Sequence, residues 1–130
     1  MSELKLDSKV LIVSETDKRG IVRYVNGDFV KISGFNEDEI IGKPHNIIRH
    51  PDMPKSAFKT LWETLKKDEI WKGFVKNSTK DGRYYWVFAT VFPIRSVNGE
   101  GYLSVRTKAN DFEIEKYENI YKNLKLNEGK

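Results

Sequence analysis

Trp71-Lys72-Gly73-Phe74-Val75-Lys76-Asn77 leads through Asp81-Gly82 into Tyr84-Tyr85-Trp86-Val87-Phe88-Ala89-Thr90-Val91-Phe92. Both runs are rich in aromatic and β-branched residues, and the Asp-Gly pair between them suits the positive-φ positions of a tight turn. The spacing predicts antiparallel strands over 71–79 and 83–95. Asn98-Gly99 is a second turn word, and it returns the chain over 100–108 beside the long middle strand. Upstream, Asp17-Lys18-Arg19-Gly20 joins strand-like sequence over 10–14 and 21–25. Three hairpins imply an antiparallel sheet.

Strand periodicity assigns faces. Trp71, Gly73, Val75 and Asn77 share one side of their strand, and Lys72, Phe74 and Lys76 share the other. The lysines belong toward water, so Asn77 points inward, where an amide is costly unless it is hydrogen-bonded. One reading gives it a flat heterocycle, with Gly73 allowing close approach, Trp71 as a stacking wall and Asn77 meeting an imide-like edge. In the other reading Asn77 pins a loop and Trp71 is plain core, and this strand alone tilts slightly that way. The next strand is apolar on both sides. Tyr85, Val87, Ala89 and Val91 suit the inner wall, while Trp86, Phe88 and Phe92 form an outer face too aromatic for solvent. That face calls for a dimer or domain contact, or for cover by a chain terminus.

Helices are expected between the first hairpin and the others. Asn26 caps one through Ser33, ended by Gly34, and Asn36 caps a short one over 37–41, stopped by Gly42 and Pro44. From Pro54 to Lys67, Phe58, Leu61, Trp62 and Leu65 recur at helical spacing and assign Trp62 to helix core. Asn110 with Glu113 reads as a capping pair for a last helix. Its stripe of Ile114, Tyr117, Ile120, Tyr121 and Leu124 serves a partner or the chain's own sheet equally well, and the tail from Asn127 is expected to fray.

Arg49-His50-Pro51-Asp52-Met53-Pro54 is the densest cluster of chemistry. Two prolines stiffen a loop carrying a cation, an imidazole and a carboxylate, which points to a ligand grip: Arg49 for an anion, His50 to stack or hydrogen-bond, Asp52 to accept. Asp52 alone is better explained as a cap for the following helix, and Arg49 can pair with it. His45 and His50 are five apart, outside the helical spacing of a zinc pair, and no nucleotide-binding or nucleophile motif is present, so no enzyme activity is expected.

The chain has 130 residues with 38% hydrophobic, enough for one compact domain of the usual ~100–200 residues. Seven Phe, six Tyr and three Trp are many for that length. There is no cysteine, which removes disulfides, thiolate metal sites and a cysteine nucleophile, and fits a reducing cytoplasmic home. The 23 basic and 19 acidic residues alternate instead of forming a nucleic-acid-binding block, and no run of ~20 apolar residues is long enough for direct membrane insertion.

In order, these elements resemble a PAS domain. The likeness sharpens at Tyr24-Val25-Asn26 with Phe29, Ser33-Gly34-Phe35, Gly42-Lys43-Pro44-His45-Asn46, the Arg49–Pro54 word, Trp71-Lys72-Gly73, Val75-Lys76-Asn77, Tyr85-Trp86-Val87 and Gly101-Tyr102-Leu103-Ser104-Val105-Arg106-Thr107. These are similar to the FAD-binding PAS domains of bacterial aerotaxis receptors. The resemblance implies an α+β fold: a five-stranded antiparallel sheet flanked on one side by short helices and one longer helix, with a C-terminal helix. It implies an N-terminal extension over 1–9, a sensor domain over 10–108 and a linker or signalling helix over 109–130. It further implies non-covalent FAD held by Trp71 and Asn77, with Asn26, Arg49, His50, Asp52 and Arg106 as further cofactor-binding residues. The function implied is redox sensing in energy taxis, relayed to a transmembrane chemoreceptor or to a HAMP or other signalling domain, with a homodimer expected. Since these 130 residues hold no such module, either an excised sensor or a free-standing partner is implied. Two alternatives stand beside it: a haem ligated by His45 or His50 for oxygen sensing, and a ligand-free docking module.

Overall fold

The computed structural model describes residues 2–129. Five strands, β1 (Ile12–Asp17), β2 (Val22–Val25), β3 (Trp71–Ser78), β4 (Tyr84–Ser96) and β5 (Gly99–Lys108), form one antiparallel sheet in the order β2-β1-β5-β4-β3. Each anticipated hairpin is present, and β1 also pairs with β5 from Ile12↔Arg106 to Asp17↔Gly101. That long-range pairing turns three local hairpins into one continuous floor.

The connection from β2 to β3 crosses one face of the sheet. Helix α1 (Gly27–Ser33) starts at Asn26, whose Oδ1 accepts from Phe29 N and from Val13 N, each at 3.0 Å, and ends at Gly34 with φ +79°. Helix α2 (Glu37–Ile40) stops before Gly42, at φ +86°. Both glycines sit where a Cβ is disfavoured. A 3-10 turn over His45–Ile48 follows, then α3 (Lys55–Lys66), which lies over the inner face. The core joins Phe29, Ile40, Ile48 and Leu65 to inner-face Tyr85, Val87 and Ala89.

Helix α4 (Asp111–Glu128) packs on the opposite face of the sheet. Asn110 Oδ1 accepts from Glu113 N at 2.8 Å, as its spacing predicts. Trp86 stacks on Tyr121 with centroids 6.1 Å apart, Phe74 meets Tyr117 at 4.7 Å, and Tyr121 Oη donates to the Phe74 carbonyl at 2.6 Å. The chain therefore covers its own outer face at Trp86, which is 3% exposed, and that indole is not a free contact surface. The tail is not frayed at Asn127 either. α4 continues to Glu128, whose carboxylate accepts from Lys55 N and Ser56 N at 3.0 and 2.9 Å. Those are orphan donors of the first turn of α3, so Glu128, and not Asp52, supplies that helix with its capping acceptor. At the N-terminus, Leu4 N donates to Tyr84 O at 2.7 Å and Leu6 is buried in the same core.

Candidate functional site

A cavity of about 340 Å³ lies between the inner face of the sheet and the α3 side of the molecule. Strand register explains its floor. Trp71, Val91, Ser104 and Ser14 stand opposite one another across four strands, and Gly73, Ala89 and Arg106 form the adjacent row. Small side chains at Ala89, Val91 and Ser104 leave the centre open, while Trp71, Asn77, Tyr102 and Arg106 rise around it. From above, α3 contributes Phe58, Leu61, Trp62 and Leu65, and the 3-10 turn contributes His45 and Ile48.

Asn77 is 3% exposed, and its Nδ2 has no hydrogen-bond partner. It sits opposite Tyr85, whose phenol burial pushes up, opposed first by the Arg106 cation and less by the Asn77 side chain. An unpartnered buried amide donor facing a cavity is the signature of a position that a ligand completes. Trp71 is on the wall as expected, but its indole folds across Gly73, where an added Cβ would meet the ring at 2.6 Å. The flat ring that Gly73 admits is thus Trp71's own.

One buried guanidinium and one half-buried one share the wall. Arg106, 2% exposed, donates to Ser14 Oγ at 2.5 Å and to His45 Nε2 at 3.4 Å, and lies over the Phe29 ring. Burial lowers its pKa to about 10, which leaves it charged near neutrality. Arg49 lies over the Phe58 ring at 3.5 Å, and burial lowers its pKa as well. The Nε atoms of both are buried without a partner. Ser14 Oγ is 2.8 Å from His45 Nε2. Burial first, and the Arg106 cation second, hold His45 near a pKa of about 3. His45 is therefore neutral, and because arginine can only donate, Nε2 serves as the acceptor.

Of the seven residues expected to bind a cofactor, Arg49, Trp71, Asn77 and Arg106 line this cavity, and Asn26, His50 and Asp52 do not. The Asn26 amide is consumed in tying α1 to β1: besides its Oδ1 contacts, Nδ2 donates to Leu11 O at 2.8 Å. His50 Nδ1 accepts from Asp52 N at 3.0 Å, and its pKa is lowered by burial first and by Lys76 second. Asp52 pairs with Lys76 Nζ at 2.9 Å, not with Arg49, and that bond holds its carboxyl below the usual range. Both residues order the loop that carries Arg49.

A family model described as PAS fold matches residues 22–106. The chain belongs to the PAS family. This PAS domain is 47% identical over 114 residues to the aerotaxis receptor of Escherichia coli (strain K12), a match covering 87% of this chain and 22% of that receptor. It is 34% identical over 86 residues to the biofilm dispersion protein BdlA of Pseudomonas aeruginosa, covering 65% of this chain and 21% of that protein. The chain thus spans about a fifth of the length of these relatives. Among solved structures, a PAS domain from Colwellia psychrerythraea superposes with TM-score 0.68 at 20% identity, covering 77% of this chain and 86% of that one. A light-oxygen-voltage domain studied with a flavin analogue gives 0.69 at 19%, covering 87% and 86%. The α+β architecture expected from the resemblance is the one observed.

Several residues of the PAS cavity were not expected there. Trp62, assigned to helix core, instead lines the cavity, edge-on to Tyr102 with centroids 5.6 Å apart. Tyr102 and Ser104 follow from Arg106 by alternation once β5 is known to face inward. His45 was expected at a cofactor only as a haem ligand; its bonds to Ser14 and Arg106, 31 and 61 residues away, left no local signal.

Proposed function

We propose that this PAS domain is a cytoplasmic redox sensor that holds FAD non-covalently and passes the flavin's redox state to a chemotaxis signalling partner. The observation that carries the reading is the buried, unpartnered Asn77 amide on a cavity wall that also holds the buried Arg106 guanidinium and the half-buried Arg49. Similarity to an aerotaxis receptor over most of the chain supports the signalling context, as the kind of protein in which such a domain works. The residues fit the group. Asn77 Nδ2 is free to donate to a carbonyl-bearing ring edge, Arg49 and Arg106 supply further donors, and Trp71, Leu61, Leu65 and Val91 exclude water from a ring's faces. The cavity volume is near the low end of the ~300–1,000 Å³ typical of ligand sites, which suits a ring system with the rest of the dinucleotide outside. When bound, the flavin supplies reversible electron storage.

The domain's own part is to convert a changed hydrogen-bond demand at Asn77 into a changed outer face. A rotated Asn77 amide re-pairs with its neighbours on β3. The adjacent Lys76 faces the other way and holds Asp52, and Phe74 on the same strand holds Tyr121 of α4. A transmembrane chemoreceptor or a HAMP domain then reads the position of α4. Haem is the weaker reading, since His45 Nε2 is engaged by Ser14 and Arg106 and His50 Nδ1 by Asp52 N.

The test is an absorption spectrum of freshly purified protein, followed by cofactor release and chromatographic separation of FAD from FMN. Two visible bands of oxidised flavin and released FAD are expected. A Soret band, or colourless protein that takes up no added FAD, overturns the reading.

A further inference from the structure

Three arginines, Arg19, Arg49 and Arg106, line the central cavity, and no aspartate or glutamate among the described residues does. Arg19 is exposed and is neutralised by Asp17 at 3.0 Å. The other two have only neutral company among the described residues: Ser14 and His45 for Arg106, the Phe58 ring for Arg49. His45 adds no charge, because burial and Arg106 keep it deprotonated. An uncompensated buried cation is costly to hold, and buried Arg106 with half-buried Arg49 beside it, each with a buried and free Nε donor, marks a place where negative charge arrives with the ligand. The oxidised flavin ring is neutral. Two electrons from a reductant and one proton from solvent give a reduced ring that carries one negative charge, protonated at N5 and not at N1.

We infer that Arg49 and Arg106 form a charge-selective pair that binds the reduced, anionic ring more tightly than the oxidised ring and thereby raises the potential at which the domain switches. This rests on the flavin reading above. By linkage, each tenfold preference for the reduced form raises a two-electron potential by about 30 mV. Asn77 contributes no such preference, because an amide can turn either its donor or its acceptor to the ring. The arginines cannot accept a hydrogen bond or lose their charge near neutral pH.

The experiment is a reductive titration with dithionite against indicator dyes, read by flavin absorbance, on FAD-loaded wild type and on R49Q, R49K, R106Q and R106K. Each Gln variant is expected to lose at least tenfold of the preference for the reduced form, a fall of about 30 mV or more. The Lys variants keep the charge and are expected to stay within threefold of wild type, whatever overall affinity they lose. Gln variants within threefold of wild type, or Lys variants that fall as far as Gln, overturn the inference. R106Q also removes a donor from Ser14, so if it does not fold, R49Q and the two Lys variants decide. Protein that takes up no FAD refutes the flavin reading itself, whereas yellow protein with an unmoved potential refutes only the role of the arginines.

Discussion

Replacing Asn77 with leucine should make the ligand-free domain more stable while abolishing cofactor retention. Leucine has the same branching as asparagine, and the main-chain pairings of residue 77 with Tyr85 and Arg49 do not involve its side chain. At 3% exposure, Nδ2 is out of reach of bulk water and without a partner. A buried donor left unmade costs roughly 1–3 kcal/mol, and an apolar group of the same shape removes that cost. The contact with Tyr85 that is lost is small by comparison, so a net gain of about 1–2 kcal/mol is expected. For a domain of this size that corresponds to a rise in Tm of about 3–10 °C. The assay is a thermal melt by circular dichroism on flavin-stripped wild type and N77L at one pH, with flavin content measured in parallel after loading. A Tm for N77L at or below that of wild type would refute the reasoning. Asn77 would then be satisfied in the free protein and would serve as a loop pin, the plainer role its strand also allows.

Two further outcomes follow from single contacts. Y121F keeps the ring packing of Tyr121 on Trp86 but removes the 2.6 Å bond to the Phe74 carbonyl. It should cost about 0.5–1.5 kcal/mol, seen as a lower urea midpoint at unchanged m-value; an unmoved midpoint contradicts the contact. His45 is held near a pKa of about 3 in the fold against an ordinary 6.5, so below 6.5 the unfolded chain binds a proton that the native state refuses. Its stabilising effect is complete above about pH 6.5 and is lost as pH falls toward 3, with a slope of up to about 1.4 kcal/mol per pH unit. H45Q should reduce the slope of unfolding free energy between about pH 6 and 5, leaving the same-signed parts due to His50 and, toward pH 5, to carboxylates held low in the fold such as Glu39 and Glu128, and an unchanged slope rules this out.

The parts of the fold that were legible in the sequence are those set by near neighbours. Turn words, Asn caps, glycine stops and the helical stripe of α3 are local, and most elements lie where their own residues predict them, although β1 runs over Ile12–Asp17 instead of 10–14 and the 3-10 turn over His45–Ile48 was not foreseen. Strand parity was equally readable, and it put Trp71 and Asn77 inside and Trp86 outside correctly. What parity cannot convey is which segment covers a face. The cover over Trp86 is set by Tyr121, 35 positions along the chain, and the role of Trp62 in the cavity depends on how α3 lies across β5. The β1–β5 pairing, which brings Ser14 to Arg106, is likewise invisible until the sheet is closed.

The Arg49–Pro54 word shows most clearly why density of chemistry is not the same as a site. This loop runs along the open edge of β3. Arg49 pairs with Asn77, which points into the cavity, whereas His50 N bonds Lys76 O and Asp52 takes the Lys76 ammonium on the opposite side. Alternation on β3 therefore divides one six-residue word between two faces, Arg49 to the ligand side and Asp52 to the α4 side. The same loop is tied to α4, since the Lys125 ammonium donates to Pro51 O, and α3 begins directly after it with its first amides held by Glu128. Two prolines leave few torsions to absorb a displacement, so a shift of Arg49 has to be taken up where the loop is anchored. On the redox reading, the loop of His50 and Asp52, which lies outside the cavity, links the cavity to the last turns of α4.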